Sequence, residues 1–138
     1  FVLWSVYPLY TLAEYVRDAR REGEPSSVNL FNTRTYNEMD LIAEAKALRE
    51  REPGAVIYSN YVDAAWFYTR KPVRLLPTVN TDPAKVTTYW PSDKPGYIIW
   101  FEPNEYKHYL TPKKISEYAN VKLVYQGKGG KIYYVQAR

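Results

Sequence analysis

Cysteine is absent from the 138 residues, which excludes disulfides, thiol catalysis and Cys-ligated zinc. Its absence assigns no compartment, but it permits an oxidising one without mispairing. Histidine occurs once, as His108 in a Lys- and Tyr-rich stretch. A single imidazole cannot build a His-based metal site, and no Asp/Glu cluster has metal-ligand spacing. His108 therefore reads as a surface residue. Glycine numbers only 6, and Gly127, Gly129 and Gly130 lie in a hairpin rather than ahead of a helix. Neither a Gly-x-Gly-x-x-Gly loop nor a phosphate loop is present, which argues against dinucleotide and P-loop chemistry. No metal, cofactor or catalytic residue is expected from these patterns.

Strong charge of one sign is also missing. The net charge is +4, from 19 basic and 15 acidic residues that are interspersed. Proteins that bind nucleic acid usually concentrate their charge on one face. The nearest basic run, Lys107, Lys113 and Lys114, is broken by aromatics and a proline. We read it as a solvated face and expect no nucleic-acid partner.

Long apolar runs are absent too. The opening, from Phe1 to Ala13, carries no charge until Glu14. It is shorter than the roughly 20 residues that cross a bilayer. It also lacks the basic n-region and small-residue cleavage site of a signal peptide. Two readings stay open. It is the end of a transmembrane helix with Trp4, Tyr7 and Tyr10 at the interface, or an amphipathic helix whose Leu9, Leu12, Ala13 and Val16 share one face. A first residue of Phe rather than Met leads us to expect a processed chain or a piece of a longer one. Gly23-Glu24-Pro25-Ser26-Ser27 reads as a linker. The expected organisation is residues 1–25 as membrane or amphipathic helix plus linker, and 26–138 as a single α/β domain.

Aromatics are plentiful: 15 Tyr, 4 Trp and 4 Phe. Tyrosine suits half-exposed sheet faces, interfaces and sugar-stacking surfaces, and β-propensity alone favours it in strands. Trp66, Tyr68, Tyr89 and Trp90 are candidates for stacking on a sugar ring. The same residues read equally as core or interface anchors.

The 46% hydrophobic content is that of a globular domain. Thr35-x-x-Glu38 reads as a capping box, followed by Leu41, Ile42, Ala45 and Leu48 at helical spacing. Lys46 and Glu50 form an i,i+4 pair, and Pro53-Gly54 stops the helix. Ala55 to Tyr58 is a short apolar run suited to a strand buried on both faces. Asn60 is placed to cap a helix that carries Val62, Ala65, Trp66 and Tyr68. Val73 to Leu76 is a second strand. Asp82-Pro83 and Thr111-Pro112 each read as N-cap and N1 of a short helix. Between them Gly96 to Phe101 is the strongest strand, and Asn104 to Leu110 reads as one or two helical turns. Val121 to Tyr125 and Lys131 to Val135 flank a glycine turn as a hairpin. This alternation implies an α/β fold. The expected form is a three-layer α/β/α sandwich, with a mostly parallel sheet of about five strands and a C-terminal antiparallel hairpin.

Ligands of open α/β sheets sit beyond the carboxyl ends of the strands. In this sequence Ser59, Asn60, Asp63, Glu102 and Asn104 form the rim where polar groups can converge. Asp63 and Glu102 make a carboxylate pair suited to acid–base work on a sugar. In the competing reading Asn60 caps a helix, Asp63 favours its positive end and Glu102 is solvated.

The stretch from Val56 to Pro77 (VIYSNYVDAAWFYTRKPVRLLP) resembles a segment that follows the last membrane spans of polytopic glycosyltransferases. These enzymes use polyprenyl-phosphate sugars and are similar to protein mannosyltransferases and lipid A aminoarabinose transferases. Their pattern is a strand, Ser/Thr-Asn, an Asp, aromatics, then Thr-Gly-Arg-Pro and a strand ending in Pro. Here Thr69-Arg70-Lys71-Pro72 stands where Thr-Gly-Arg-Pro is commoner. Val124 to Gly127 and Ile132-Tyr133 resemble the family's terminal hairpin, and Asn32 to Asn37 sits where the family resumes after the membrane. The resemblance implies a non-catalytic, extracytoplasmic C-terminal domain. Such a domain would assist acceptor binding or cover the membrane active site. Its partners would be the rest of its own membrane-embedded chain and a glycan or lipid-linked sugar. The family's catalytic carboxylate lies in a first extracytoplasmic loop with no counterpart here. Arg17, Arg20 and Arg21 point the other way, since the positive-inside rule would make their side cytoplasmic. A free-standing carbohydrate-binding α/β module and a small hydrolase or transferase using Asp63 and Glu102 are the alternatives.

Overall fold

The computed structural model describes residues 39–102 and 107–138. The apolar start, the Gly23–Ser27 linker, the Thr35–Glu38 capping box and Asn104 lie outside them. The elements follow in the order α1 (Asp40–Arg51), β1 (Val56–Ser59), α2 (Val62–Thr69), β2 (Val73–Leu75), α3 (Pro83–Thr87), β3 (Gly96–Phe101), α4 (Pro112–Ile115), β4 (Asn120–Gly127) and β5 (Gly130–Gln136). The fold class is α/β, as the alternation implied. Among the described residues, no helix is long and apolar enough to cross a membrane.

The five strands form one sheet in the order β2-β1-β3-β5-β4. β1 pairs parallel with β2 and with β3. β5 runs antiparallel to both β3 and β4, so β5 alone opposes the common direction. The hairpin is thus inserted backwards relative to chain order: its second strand is the inner one, and β4 forms the edge. A two-residue loop, Lys128-Gly129, joins the strands between the Gly127↔Gly130 pair. Gly130 has φ +148°, and a Cβ there would lie 2.0 Å from the Trp100 carbonyl oxygen. Only glycine allows the turn to close so near β3.

Strand alternation separates the core into two sets. Tyr58, Ile98, Trp100 and Val135 cluster with Leu76, Val86, Trp90, Leu110 and Ile115, a group that draws on α3 and α4. Ile57, Ile99, Phe101 and Ile132 are buried outside that cluster. So are Leu41, Ile42, Ala45 and Leu48 of α1 and Ala64, Ala65 and Tyr68 of α2. α1 packs on α2, β4 and β5, and α2 packs on β1 and β2.

The caps explain several boundaries. Asp82 accepts from Ala84 N at 2.8 Å, and Thr111 accepts from Lys114 N at 3.3 Å, each with a proline opening the helix. These are the caps expected from Asp-Pro and Thr-Pro. At α1 the hairpin loop does this work. Leu41 N donates to Lys128 O, and Lys128 N donates to the Asp40 carboxylate. Lys71 Nζ donates to the carbonyls of Glu52 and Pro53, just past the last turn of α1.

Three local readings are corrected. Asn60 does not cap α2, whose N-cap is Tyr61, because its amide is bonded to β3. Glu50 pairs with Arg49, while Lys46 Nζ sits 5.5 Å from the Tyr68 ring. Lys107 and His108 lie in a turn, and Tyr109 forms an antiparallel bridge with Thr78. Leu110 N donating to Pro77 O and Val79 N donating to His108 O secure that bridge in place of a helix.

β4 carries a bulge. Leu123 faces Tyr133 and Tyr125 faces Ile132, leaving Val124 as the extra residue. Leu123 and Val124 are 45% and 49% exposed on this edge. A bulge twists an edge strand and weakens it as a template for further pairing.

Candidate functional site

The sheet order places a topological switch between β1 and β3. The connection leaving β1 turns to β2, whereas the chain leaving β3 returns on the far side as the hairpin. In open α/β sheets this is where a crevice opens. Here two side chains bridge β1 and β3. Ser59 Oγ donates to Ile99 O at 2.7 Å and accepts from Tyr61 N at 3.0 Å. The Asn60 amide donates to Phe101 O at 2.9 Å and accepts from Phe101 N at 2.8 Å. At 3% exposure, Asn60 acts as a surrogate peptide that extends β1 by one rung where its backbone leaves the sheet.

Of the other rim residues, Asp63 and Glu102 are described, and both are exposed. Asp63 is exposed in the first turn of α2. Glu102 accepts from Lys131 Nζ at 2.7 Å, which ties it towards β5, on the opposite side of β3 from β1. That bond holds the Lys131 ammonium above its ordinary pKa. Among the described residues, no three His, Cys, Asp or Glu side chains gather in a way that would hold a metal.

The four stacking candidates divide by burial. Trp90 and Tyr68 are each 4% exposed and sit among core side chains. Tyr89 is half-buried, with its ring 5.5 Å from Tyr58 and 5.3 Å from Trp90. Tyr58 OH donates to Tyr89 O at 3.2 Å, and Tyr89 OH donates to Leu75 O. Burial pushes the Tyr58 and Tyr89 hydroxyls up, with Arg74 pulling back on both, and burial alone takes Tyr68 up to about 12. Trp90 Nε1 is buried without a hydrogen-bond partner. Trp66 is the exception, 51% exposed on the outer side of α2.

Arg70 was not singled out by the sequence patterns. It is the C-cap of α2 and has φ 54°, ψ 28°, the left-handed conformation that favours glycine. Its guanidinium carbon lies 4.6 Å from the Phe67 ring centroid and 5.6 Å from that of Trp66. The available signal was the departure at this position from the commoner Thr-Gly-Arg-Pro.

No family model, curated protein or solved structure matches the chain.

Proposed function

We propose that this chain is the non-catalytic, extracytoplasmic C-terminal domain of a membrane glycosyltransferase-like protein, where it assists acceptor binding or covers the membrane active site. In this reading the α/β domain is a three-layer sandwich beside the bilayer. Its partners are the membrane-embedded part of its own chain and a glycan or lipid-linked sugar. The observation that carries the reading is the conformation of the Val56–Pro77 segment. It folds as strand, helix and strand, and two features of the resemblance have a structural cause there. The Ser-Asn pair staples β1 to β3. The position where the family more often has glycine is the left-handed one. Residues engaged in this way serve the fold, which agrees with a domain that leaves the chemistry to another part of the protein.

The test is the coding sequence upstream of the Phe1 codon. Several apolar spans of about 20 residues are expected, with an acidic residue in the first long loop. A reading frame with no such spans overturns the proposal.

The exposed Trp66 favours the carbohydrate-binding module as the second reading. The hydrolase reading loses support from the Glu102–Lys131 pair, which draws one of its two carboxylates to the other side of β3.

A further inference from the structure

From the outer face of α2 we infer a carbohydrate-binding platform made of Asp63, Trp66 and Arg70. The buried positions of this helix are Ala64, Ala65, Tyr68 and Thr69, which turns Asp63, Trp66 and Arg70 outward, all of them exposed. They fall at i, i+3 and i+7, so they follow one another along one helical face. With a rise of 1.5 Å per residue, the face runs about 10 Å from Asp63 to Arg70. Two linked hexose rings span a comparable length.

The chemistry of the face selects its occupant. A bare indole surface would suit an apolar peptide or a bilayer interface. Here Asp63 precedes the indole by about one turn and the Arg70 guanidinium lies over its ring, on an exposed helix face. Asp63 repels anionic headgroups, and desolvating both charges against hydrocarbon is costly. A sugar asks for this mixture. The C–H face of the ring packs on indole, while its hydroxyls donate to a carboxylate and accept from a guanidinium.

A second observation concerns Arg70 itself. A residue with a Cβ costs roughly 1 kcal/mol in the left-handed conformation, and glycine would relieve that cost. The side chain held at this expense lies over the Phe67 ring and, at 5.6 Å, over one face of the Trp66 ring, leaving the other face to a ligand. Strain that places a specific group on a surface is a recurring feature of binding sites.

The inference deepens the acceptor-binding role proposed above and rests on it for biological context. Its test is separate, because a chain encoded behind membrane spans either responds to sugars at Trp66 or does not. The experiment titrates the full 15N-labelled chain with mannobiose, cellobiose and galactobiose and follows the four tryptophan indole N–H signals. The expected result is a saturable shift of the Trp66 signal with at least one disaccharide, with Kd on the order of 1 mM. Trp66→Ala and Arg70→Ala should each weaken binding about tenfold or more, and Trp66→Phe should retain part of it. Three results overturn the inference: no saturable shift with any of the three sugars, a saturable shift confined to other indoles, or undiminished binding by Trp66→Ala. Trp66-dependent retention on phosphatidylserine vesicles without a sugar response also overturns it, by assigning the face to a membrane.

Discussion

Replacing Asn60 tests the staple between β1 and β3 most directly. Its amide satisfies both Phe101 N and Phe101 O, and water does not reach the site at 3% exposure. Asn60→Leu keeps the bulk and removes both partners. Each buried backbone group left unsatisfied costs about 1–3 kcal/mol, so the variant should lose about 3–5 kcal/mol. That is a large share of the roughly 5–15 kcal/mol available to a domain of this kind. Asn60→Asp separates the two bonds. The introduced carboxylate can still accept from Phe101 N, but it faces Phe101 O with no proton to donate. Burial against that carbonyl favours the protonated acid, so its folded pKa rises above the unfolded value of about 3.9. The sign follows from linkage: this variant is most stable below the unfolded pKa and loses stability as pH rises through the folded one. Urea unfolding followed by circular dichroism at acid and neutral pH measures both effects. The reasoning is refuted if Asn60→Leu costs less than about 1 kcal/mol with an unchanged m-value.

Arg70→Gly should be more stable than Arg70→Ala by about 1 kcal/mol, because both lose the stack on Phe67 but only alanine keeps the left-handed strain; thermal melts of the pair decide it. Gly130→Ala should destabilise by several kcal/mol, of order 3 or more, since its Cβ would meet the Trp100 carbonyl at 2.0 Å, whereas Gly54 has nothing within 4 Å and should accept alanine far more readily. Alkaline pH should unfold the domain. Buried tyrosines keep protons that unfolded ones release near pH 10, so their contribution is complete below about pH 10 and is lost as pH climbs. Tyr68, pushed up to about 12, should account for about 2–3 kcal/mol of that loss. Tyr68→Phe should flatten this part of the profile in urea midpoints measured between pH 9 and 12, and an unaltered profile would count against the assignment.

Local chemistry was legible in the sequence where it is self-contained. Asp82-Pro83 and Thr111-Pro112 cap and open helices within a few residues of themselves, and the glycines at 127, 129 and 130 mark a turn wherever the hairpin docks. The helical spacing from Leu41 to Leu48 and the strand from Gly96 to Phe101 also needed no distant partner. Asn60 shows where this fails. Its residue type fits a cap, but the donor and acceptor of Phe101 lie 41 residues away in sequence and offer it two bonds instead of one. Residues 107–110 were open to a helical reading until the Pro77–Val79 strip supplied partners for an extended one. At the candidate site, composition could name Trp66, Tyr68, Tyr89 and Trp90 together. Only the direction each ring faces separates Trp66 from the rest, and that depends on which side of α2 or of the sheet meets the core. Ser59 and Asn60 do stand at the end of β1, where their side chains bond to the β3 backbone, a pairing that the sequence alone does not announce.

The placement of β5 between β3 and β4 governs how this domain is made. Through Gly127, an emerging polypeptide holds a parallel trio of strands whose β3 flank is bare, together with a segment that has no strand to join. Residues 130–136 fill that gap and at once give β4 its strand neighbour among the described residues. Closure of the sheet therefore waits for residues 130–136 and joins both flanks at one step rather than by gradual accretion. A nascent product stopped just short of Gly130 would present two unpaired apolar borders, the kind of surface that chaperones and proteases recognise.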